Sequence, residues 1–340
     1  MVHKETAVTQ KSGKLMIRSL QAGRGLAALA VLFFHAYGVA GGLNSNIPGG
    51  AVWTLGYLGV DFFFVLSGFI IYYSTVAAGG TIGSYMERRV TRVYLPYLPI
   101  GLGVALLQVL LPQYFGKGDD WAWLPTLTLA PVSAGTALDV AWTLKHEMLF
   151  YVIFGVGFFS GRLWTTLGIW LVAIVAANLV SWQQNVMLSL INIEFFMGIA
   201  VARLAERGFG NRWLYPLGVM TFGLWILTGT LKEASPIAGL AFAMIIVPLI
   251  QHERTGHVRV PNWLYGLGTV SYSLYLVHGP FSALAMKAFQ DEWGRFLGSI
   301  VVSIVAAIAY YYIIERNSTK VRISRWFRKA APAGWAAWPS

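Results

Sequence analysis

Cysteine is absent from this sequence. Its absence excludes disulfides, thiolate metal sites and a cysteine nucleophile together, and implies nothing about redox compartment. Charge is scarce too: 11% of the 340 residues are Asp, Glu, Lys or Arg, where a soluble domain carries roughly a quarter. That excludes an ordinary water-soluble globule. What is present instead is apolar, 56% hydrophobic and 15% aromatic, too much for one core to hide. Lipid is the expected solvent.

Runs of about 20 apolar residues are long enough to cross the hydrocarbon slab as helices. Breaking the sequence at clusters of charge, Pro and Gly gives about ten of them, at 18–40, 56–77, 92–111, 141–159, 163–181, 186–204, 213–231, 235–251, 264–287 and 296–315. The fold class is therefore an all-α integral membrane protein. The first run lacks a small-residue cleavage site and is followed by others, so it reads as a retained span rather than a removed signal peptide. The net charge of +11 does not mark a nucleic-acid binder, because the basic residues sit in short clusters between apolar runs and not along one polar face.

Those clusters report topology, since cytoplasmic loops hold the excess of Lys and Arg. With the N-terminus inside, nineteen of the 25 basic residues fall in inside segments and four in outside loops, with Arg24 and Lys145 within spans. Both termini are expected in the cytoplasm. No internal repeat and no separate soluble domain is visible. The expected organisation is a cytoplasmic segment 1–17, a ten-helix membrane domain 18–315 and a basic tail 316–340 ending in Trp335 and Trp338, its positive charges set against anionic head groups. The loop at 112–140, with Asp119, Asp120 and Asp139, is expected outside.

Ionisable side chains inside a span cost several kcal/mol and usually face a partner or a cavity. The first span carries Arg24 and His35. Eleven residues make three turns plus roughly 20°, so both point the same way, about 16 Å apart along the axis. His35 alone reads equally as a buried structural histidine, and Arg24 alone as a residue snorkelling to the surface; their shared face weakens both bland readings. The second span carries Asp61 and Ser67 among Gly56, Gly59 and Gly68. Asp61 and His35 are expected at similar depth, where a carboxylate fixes an imidazole tautomer; Gly56 and Gly68 read as close helix packing.

The fourth span opens with Trp142, Thr143, Leu144, Lys145, His146 and Glu147, followed by Phe150 and Tyr151. Trp142 fits an interfacial aromatic belt. Glu147 either pairs with Lys145 or His146 or faces the cavity expected at His35 and Asp61. At the mouth of the third span Arg88, Arg89 and Arg92 serve topology, or grip phosphates through paired hydrogen bonds. His278, ahead of Pro280, reads equally as a substrate ligand or a structural donor, and Glu315 with Arg316 marks the end of the last span.

Over about Ile17 to Arg316 the sequence resembles the membrane acyltransferase-3 family of O-acyltransferases. Arg24 and His35 match its arginine, ten residues, histidine motif; Gly56 to Phe69 match its second-span motif. Arg89, Arg92 and Pro96 resemble its third-span basic motif, and Trp142, Thr143, Leu144, Glu147, Phe150 and Tyr151 its fourth-span motif. The resemblance implies an acyl-coenzyme A co-substrate, acetyl or another short acyl group, no tightly bound cofactor, and a carbohydrate acceptor. Some members carry an additional esterase-like domain; this sequence is similar to those that modify exopolysaccharide or lipid-linked oligosaccharide directly, in the inner membrane of bacteria. Analogy alone carries that narrowing.

The expected mechanism docks donor phosphates at Arg88, Arg89 and Arg92, lays the pantetheine along Arg24, and uses His35 as general base with Asp61 or Glu147 holding the ring. Ser67, Trp142, Tyr151 and His278 are candidate lining residues, and no metal is called for. Acyl-histidine and acyl-serine at Ser67 stay open. The competing class is a transporter relaying protons through the same histidines and carboxylates, against which stands the lack of repeated halves.

Overall fold

The structure, a computed structural model, describes residues 17–115, 121–180, 185–227 and 236–318. The segment 1–16, Asp119 and Asp120, and the tail from 319 lie outside the described residues. Among those described, ten helices of 14 residues or more follow one another: α1 Arg18–Val39, α2 Gly59–Ala78, α3 Ile82–Leu110, α4 Trp142–Phe159, α5 Leu163–Leu179, α6 Ile193–Glu206, α7 Leu214–Leu227, α8 Pro236–Arg254, α9 Asn262–Ala288 and α10 Glu292–Tyr310. Each coincides with one apolar run. Five stretches, Arg18–Val39, Gly50–Ala78, Ile82–Leu110, Pro236–Arg254 and Glu292–Ser318, are long and apolar enough to cross a membrane. In α4 and α9 polar side chains dilute the apolar run, and those side chains prove to matter.

The largest boundary shift is at α3, which begins at Ile82 and not near 92. Thr81 and Ser84 form a capping box, each hydroxyl accepting from the other's backbone N–H at 3.2 and 3.3 Å. This satisfies two donors at the helix start. Helix formation needs no apolar run, so Arg88, Arg89 and Arg92 lie inside the helix. At the other extreme, α6 starts only at Ile193, after short 3₁₀ turns at Val186–Leu188 and Leu190–Asn192.

The packing is that of a chain in lipid. α10 buries Phe296, Ser299, Ser303 and Ala307 and turns Leu297, Val301, Val305 and Ile308 outward. Small residues inward and aliphatic ones outward are what helices without a hydrophobic drive between them adopt. α2 and α6 approach until a Cβ on Gly68 would lie 2.1 Å from Phe195 O, and one on Gly198 2.0 Å from Val65 O. Gly56 and Gly59 press in the same way on Ala30 O and Ala27 O of α1. α1 packs along α9, and α9 along α10.

Polar contacts align the helix ends. Glu253, at the end of α8, accepts from Arg18 N at 2.7 Å and Ser19 N at 2.8 Å, capping α1. Arg18 also donates to Asn262 Oδ1 at the start of α9. At the opposite end Asn46, past α1, donates from its backbone to Glu292 at the start of α10. The segment 121–138 does not stand clear of the bundle. Tyr94 and Tyr97 hydroxyls donate to Thr128 O and Thr126 O, and Gln108 Nε2 donates to Ala137 O. Those anchors span about 21 Å of α3 at 1.5 Å per residue.

Candidate active site

A cavity opens among α1, α2, α3, α4 and α9, with about 710 Å³ of empty space, part of it open to the exterior. Its polar lining comes from Arg24 of α1, Ser67 of α2, Arg92 of α3, Thr143 and Glu147 of α4, and Ser271, Tyr272 and Tyr275 of α9. Four of the expected site residues therefore share one wall-to-wall space. Tyr151, a fifth, joins them through its hydroxyl, which donates to Glu147 Oε1; Ser67 Oγ donates to the same oxygen at 3.3 Å.

Glu147 thus faces the cavity and pairs with neither Lys145 nor His146. Neighbouring helical positions diverge by about 100°, so the three side chains part. Lys145 is buried and donates to Val132 O at 2.5 Å and Ala134 O at 2.9 Å, tying the 121–138 segment to α4. His146 Nδ1 lies 2.8 Å from Asn192 Oδ1.

The three arginines meet different surroundings. Arg92 lines the cavity, while Arg89 turns between α2 and α4, donates to Ser74 Oγ at 2.6 Å and lies over the Tyr85 and Tyr151 rings at 5.4 and 5.6 Å. Its charge is thereby taken up by a hydroxyl and two aromatic faces. Arg88 is exposed and outside the lining, as is Trp142, which packs on Phe64 and His146.

His35 lies beyond the cavity's Tyr275 end, its ring edge-on to His278 with centroids 4.8 Å apart. His278 in turn neighbours Tyr275, whose hydroxyl meets Thr143 Oγ1 at 2.8 Å. Arg24 and His35 both turn to α9, as their spacing predicts. His35 Nδ1 is 2.9 Å from Val31 O and His278 Nδ1 is 3.2 Å from Leu274 O. A carbonyl only accepts, so in the neutral rings each Nδ1 carries the proton and each Nε2 presents its lone pair. His278 Nε2 is buried without a hydrogen-bond partner.

Asp61 is elsewhere. It is fully buried and faces Glu194 of α6, side chain to side chain. Two displacements separate it from His35: Gly56 and Gly59 meet α1 at Ala30 and Ala27, which sets Asp61 more than two turns of α1 away, and Asp61, two residues past Gly59, projects roughly 200° from that contact. The expected Asp61–His35 contact is replaced by a backbone carbonyl within α1. Glu147 is also not hydrogen-bonded to His35 among the described residues.

One residue read as a span terminus lies beside this site. Glu315 closes a π-turn over Tyr311–Glu315 and points inward, its Oε2 accepting from Ser273 Oγ at 2.5 Å and Ser273 N at 3.1 Å. Ser273 adjoins the lining residues Ser271 and Tyr272, and both Arg24 and Arg92 lie within electrostatic reach of the carboxylate.

Residues 17–312 match the family described as an acyltransferase domain. The chain is 27% identical to the exopolysaccharide production protein ExoZ of Rhizobium meliloti (strain 1021), over 77% of this chain and 89% of that protein. It is 24% identical to nodulation protein 10 of Rhizobium leguminosarum bv. viciae, over 90% of this chain and 94% of the other. No solved structure matches it.

Proposed function

Since this chain belongs to the acyltransferase-3 family, we propose that it is a bacterial inner-membrane enzyme transferring an acyl group, acetyl in the simplest case, from acyl-coenzyme A to a carbohydrate hydroxyl. Ten spans with both termini in the cytoplasm complete the reading, supported by the charge asymmetry and by the shared ends of α1, α8 and α9. The exopolysaccharide production relative favours an exopolysaccharide or its lipid-linked precursor as acceptor.

One observation carries the proposal: a cavity with two guanidinium groups, Arg24 and Arg92, lies on the same helices as a histidine whose Nε2 is free to accept a proton. Guanidinium groups suit phosphate oxygens, so the donor enters with its phosphates there and its thioester extended along α1 and α9 toward His35, about 16 Å farther by helical rise. His35 Nε2 takes the acceptor's hydroxyl proton as that oxygen attacks the thioester carbonyl. The carbon–sulfur bond breaks, the ester forms, and the coenzyme A thiolate recovers a proton, from the imidazolium or from water. Val31 O, by accepting from Nδ1–H, selects the neutral tautomer in which Nε2 is the accepting nitrogen.

The test uses purified protein in liposomes with acyl-labelled coenzyme A thioester and a saccharide acceptor. Label should appear on the saccharide with release of free thiol. His35→Ala should slow turnover about a hundred- to ten-thousand-fold, the usual contribution of a general base, while donor binding persists. Full activity in a folded His35→Ala protein would move the base to His278; solute uptake without acyl transfer would favour the transporter class.

A further inference from the structure

The cavity follows α9 through Ser271, Tyr272 and Tyr275 and ends there. His278 lies on the same face about 4.5 Å farther along the axis, yet neither it nor His35 lines the cavity. At the boundary stands the Tyr275 ring. It meets Phe63, a lining residue of α2, at 5.9 Å between centroids, and His278 at 5.7 Å; His278 in turn meets His35. An aromatic partition thus separates the space that holds Arg24 and Arg92 from the histidine pair.

The partition is pinned from the start of α4. Tyr275 Oη donates to Val140 O at 3.0 Å and lies 2.8 Å from Thr143 Oγ1, which is itself 3.1 Å from Val140 O. The carbonyl only accepts, so the two hydroxyls supply the protons of this triangle. Tyr275 is 7% exposed, so swinging its ring aside breaks these bonds where water is scarce to replace them. A phenylalanine would fill the same space with no buried hydroxyl to satisfy; the hydroxyl fixes where the ring stands. His35, by contrast, is half-buried although the cavity does not reach it. Its uncovered surface opens on another side.

We infer that Tyr275 is the gate between the donor cavity and the histidine pair, and through it a specificity-determining residue of the proposed transfer. It keeps the thioester from His35, and so from water that reaches His35 by its open side. The inference rests on the donor reading above for what is gated. A base that takes a proton from a saccharide hydroxyl takes one from water as well. In that side reaction the water oxygen attacks the thioester carbonyl while His35 Nε2 accepts its proton. The carbon–sulfur bond breaks, the thiolate recovers the proton, and a free carboxylic acid leaves. Holding thioester and base apart until the ring moves suppresses this loss.

The test measures release of labelled acid from acyl-labelled coenzyme A thioester in liposomes without saccharide. Tyr275→Phe, which frees the ring from Val140 and Thr143, should raise this hydrolysis about tenfold, the scale of one to two hydrogen bonds. Thr143→Val removes one of the same bonds and should act in the same direction, and it carries the test alone should Tyr275→Phe fail to fold. The double variant should hydrolyse no faster than Tyr275→Phe. Adding His35→Ala to Tyr275→Phe should remove the gain, which a purely structural tie between α4 and α9 would not require. Parental hydrolysis in the folded variants, additive gains in the double, or a gain that survives His35→Ala overturns the inference. If no protein, parent included, consumes acyl-coenzyme A, the donor reading fails and access alone judges the gate. His278→Cys places one thiol behind the partition in this cysteine-free chain, and N-ethylmaleimide should label it about tenfold faster once Tyr275→Phe is added, by the same loss of hydrogen bonds. Faster labelling sustains the gate without the donor; equal labelling refutes it.

Discussion

Gly198→Ala is the most direct probe of how helix packing sets the site. A Cβ there would lie 2.0 Å from Val65 O, 2.7 Å from Phe69 N and 2.8 Å from the Gly68 Cα. All three are backbone atoms, so no side chain can rotate aside. Restoring ordinary contact near 3.4 Å requires α2 and α6 to part by roughly 1.4 Å. Overpacking of this kind costs about 1–3 kcal/mol, and a wider loss is expected because α2 supplies Val60, Phe63, Phe64, Leu66, Ser67 and Ile70 to the cavity. The 3.3 Å Ser67–Glu147 hydrogen bond does not survive such a shift. Misplacement of about 1 Å costs on the order of a hundredfold in rate. Thermal unfolding in detergent and acyl transfer in liposomes should therefore both report the loss. Gly38→Ala serves as control, since nothing lies within 4 Å of its Cβ. A Gly198→Ala protein with parental Tm and parental turnover would refute the close α2–α6 contact and its link to the cavity.

The two inner arginines should separate by phenotype: Arg92→Ala raises the KM for acyl-coenzyme A, whereas Arg89→Ala, which strips Ser74 and two aromatic faces of their partner, lowers Tm by an amount worth about 1–3 kcal/mol. Equal KM effects with unchanged Tm would return Arg89 to the ligand site. Lys145→Met should leave Val132 O and Ala134 O without their donor and speed amide exchange across 121–138. Unaltered exchange there would show that the lysine is not the anchor.

Helix positions were legible because apolar runs and helices share one cause, the thickness of lipid. Boundaries were legible only where polarity changes together with structure. At α3 it does not, and the capping box at Thr81 sets the start well before the apolar run. The shared face of Arg24 and His35 was legible because both sit on one regular helix. Which neighbour each face meets was not: the antiparallel pairing that sets Gly56 on Ala30 and Gly59 on Ala27 places Asp61 more than two turns of α1 from His35 and turns it toward Glu194. The inward turn of Glu315 depends on a π-turn, and no residue pattern in Tyr311–Glu315 announces one.

Bilayer energetics give a way to separate structural charges from functional ones, because each ionisable group in a span needs a reason to be there. Arg89 has Ser74 and two rings; Lys145 has two carbonyls; His146 has Asn192. Glu147 has Ser67 and Tyr151, and Glu315 has Ser273. Each of these is accounted for by a partner within the fold. Asp61 and Glu194 keep buried oxygens unpartnered among the described residues, away from the cavity; along α1, α3 and α9 the groups with capacity to spare are Arg92, Arg24 with its single long bond, and the accepting nitrogens of His35 and His278. They fall at two ends of one path along α1 and α9, donors of hydrogen bonds at one end and acceptors of protons at the other. No serine is hydrogen-bonded to either accepting nitrogen among the described residues, while Ser67 is engaged with Glu147. A base without a protein nucleophile beside it has to activate something that arrives, which favours direct attack by the acceptor hydroxyl over an acyl-serine intermediate.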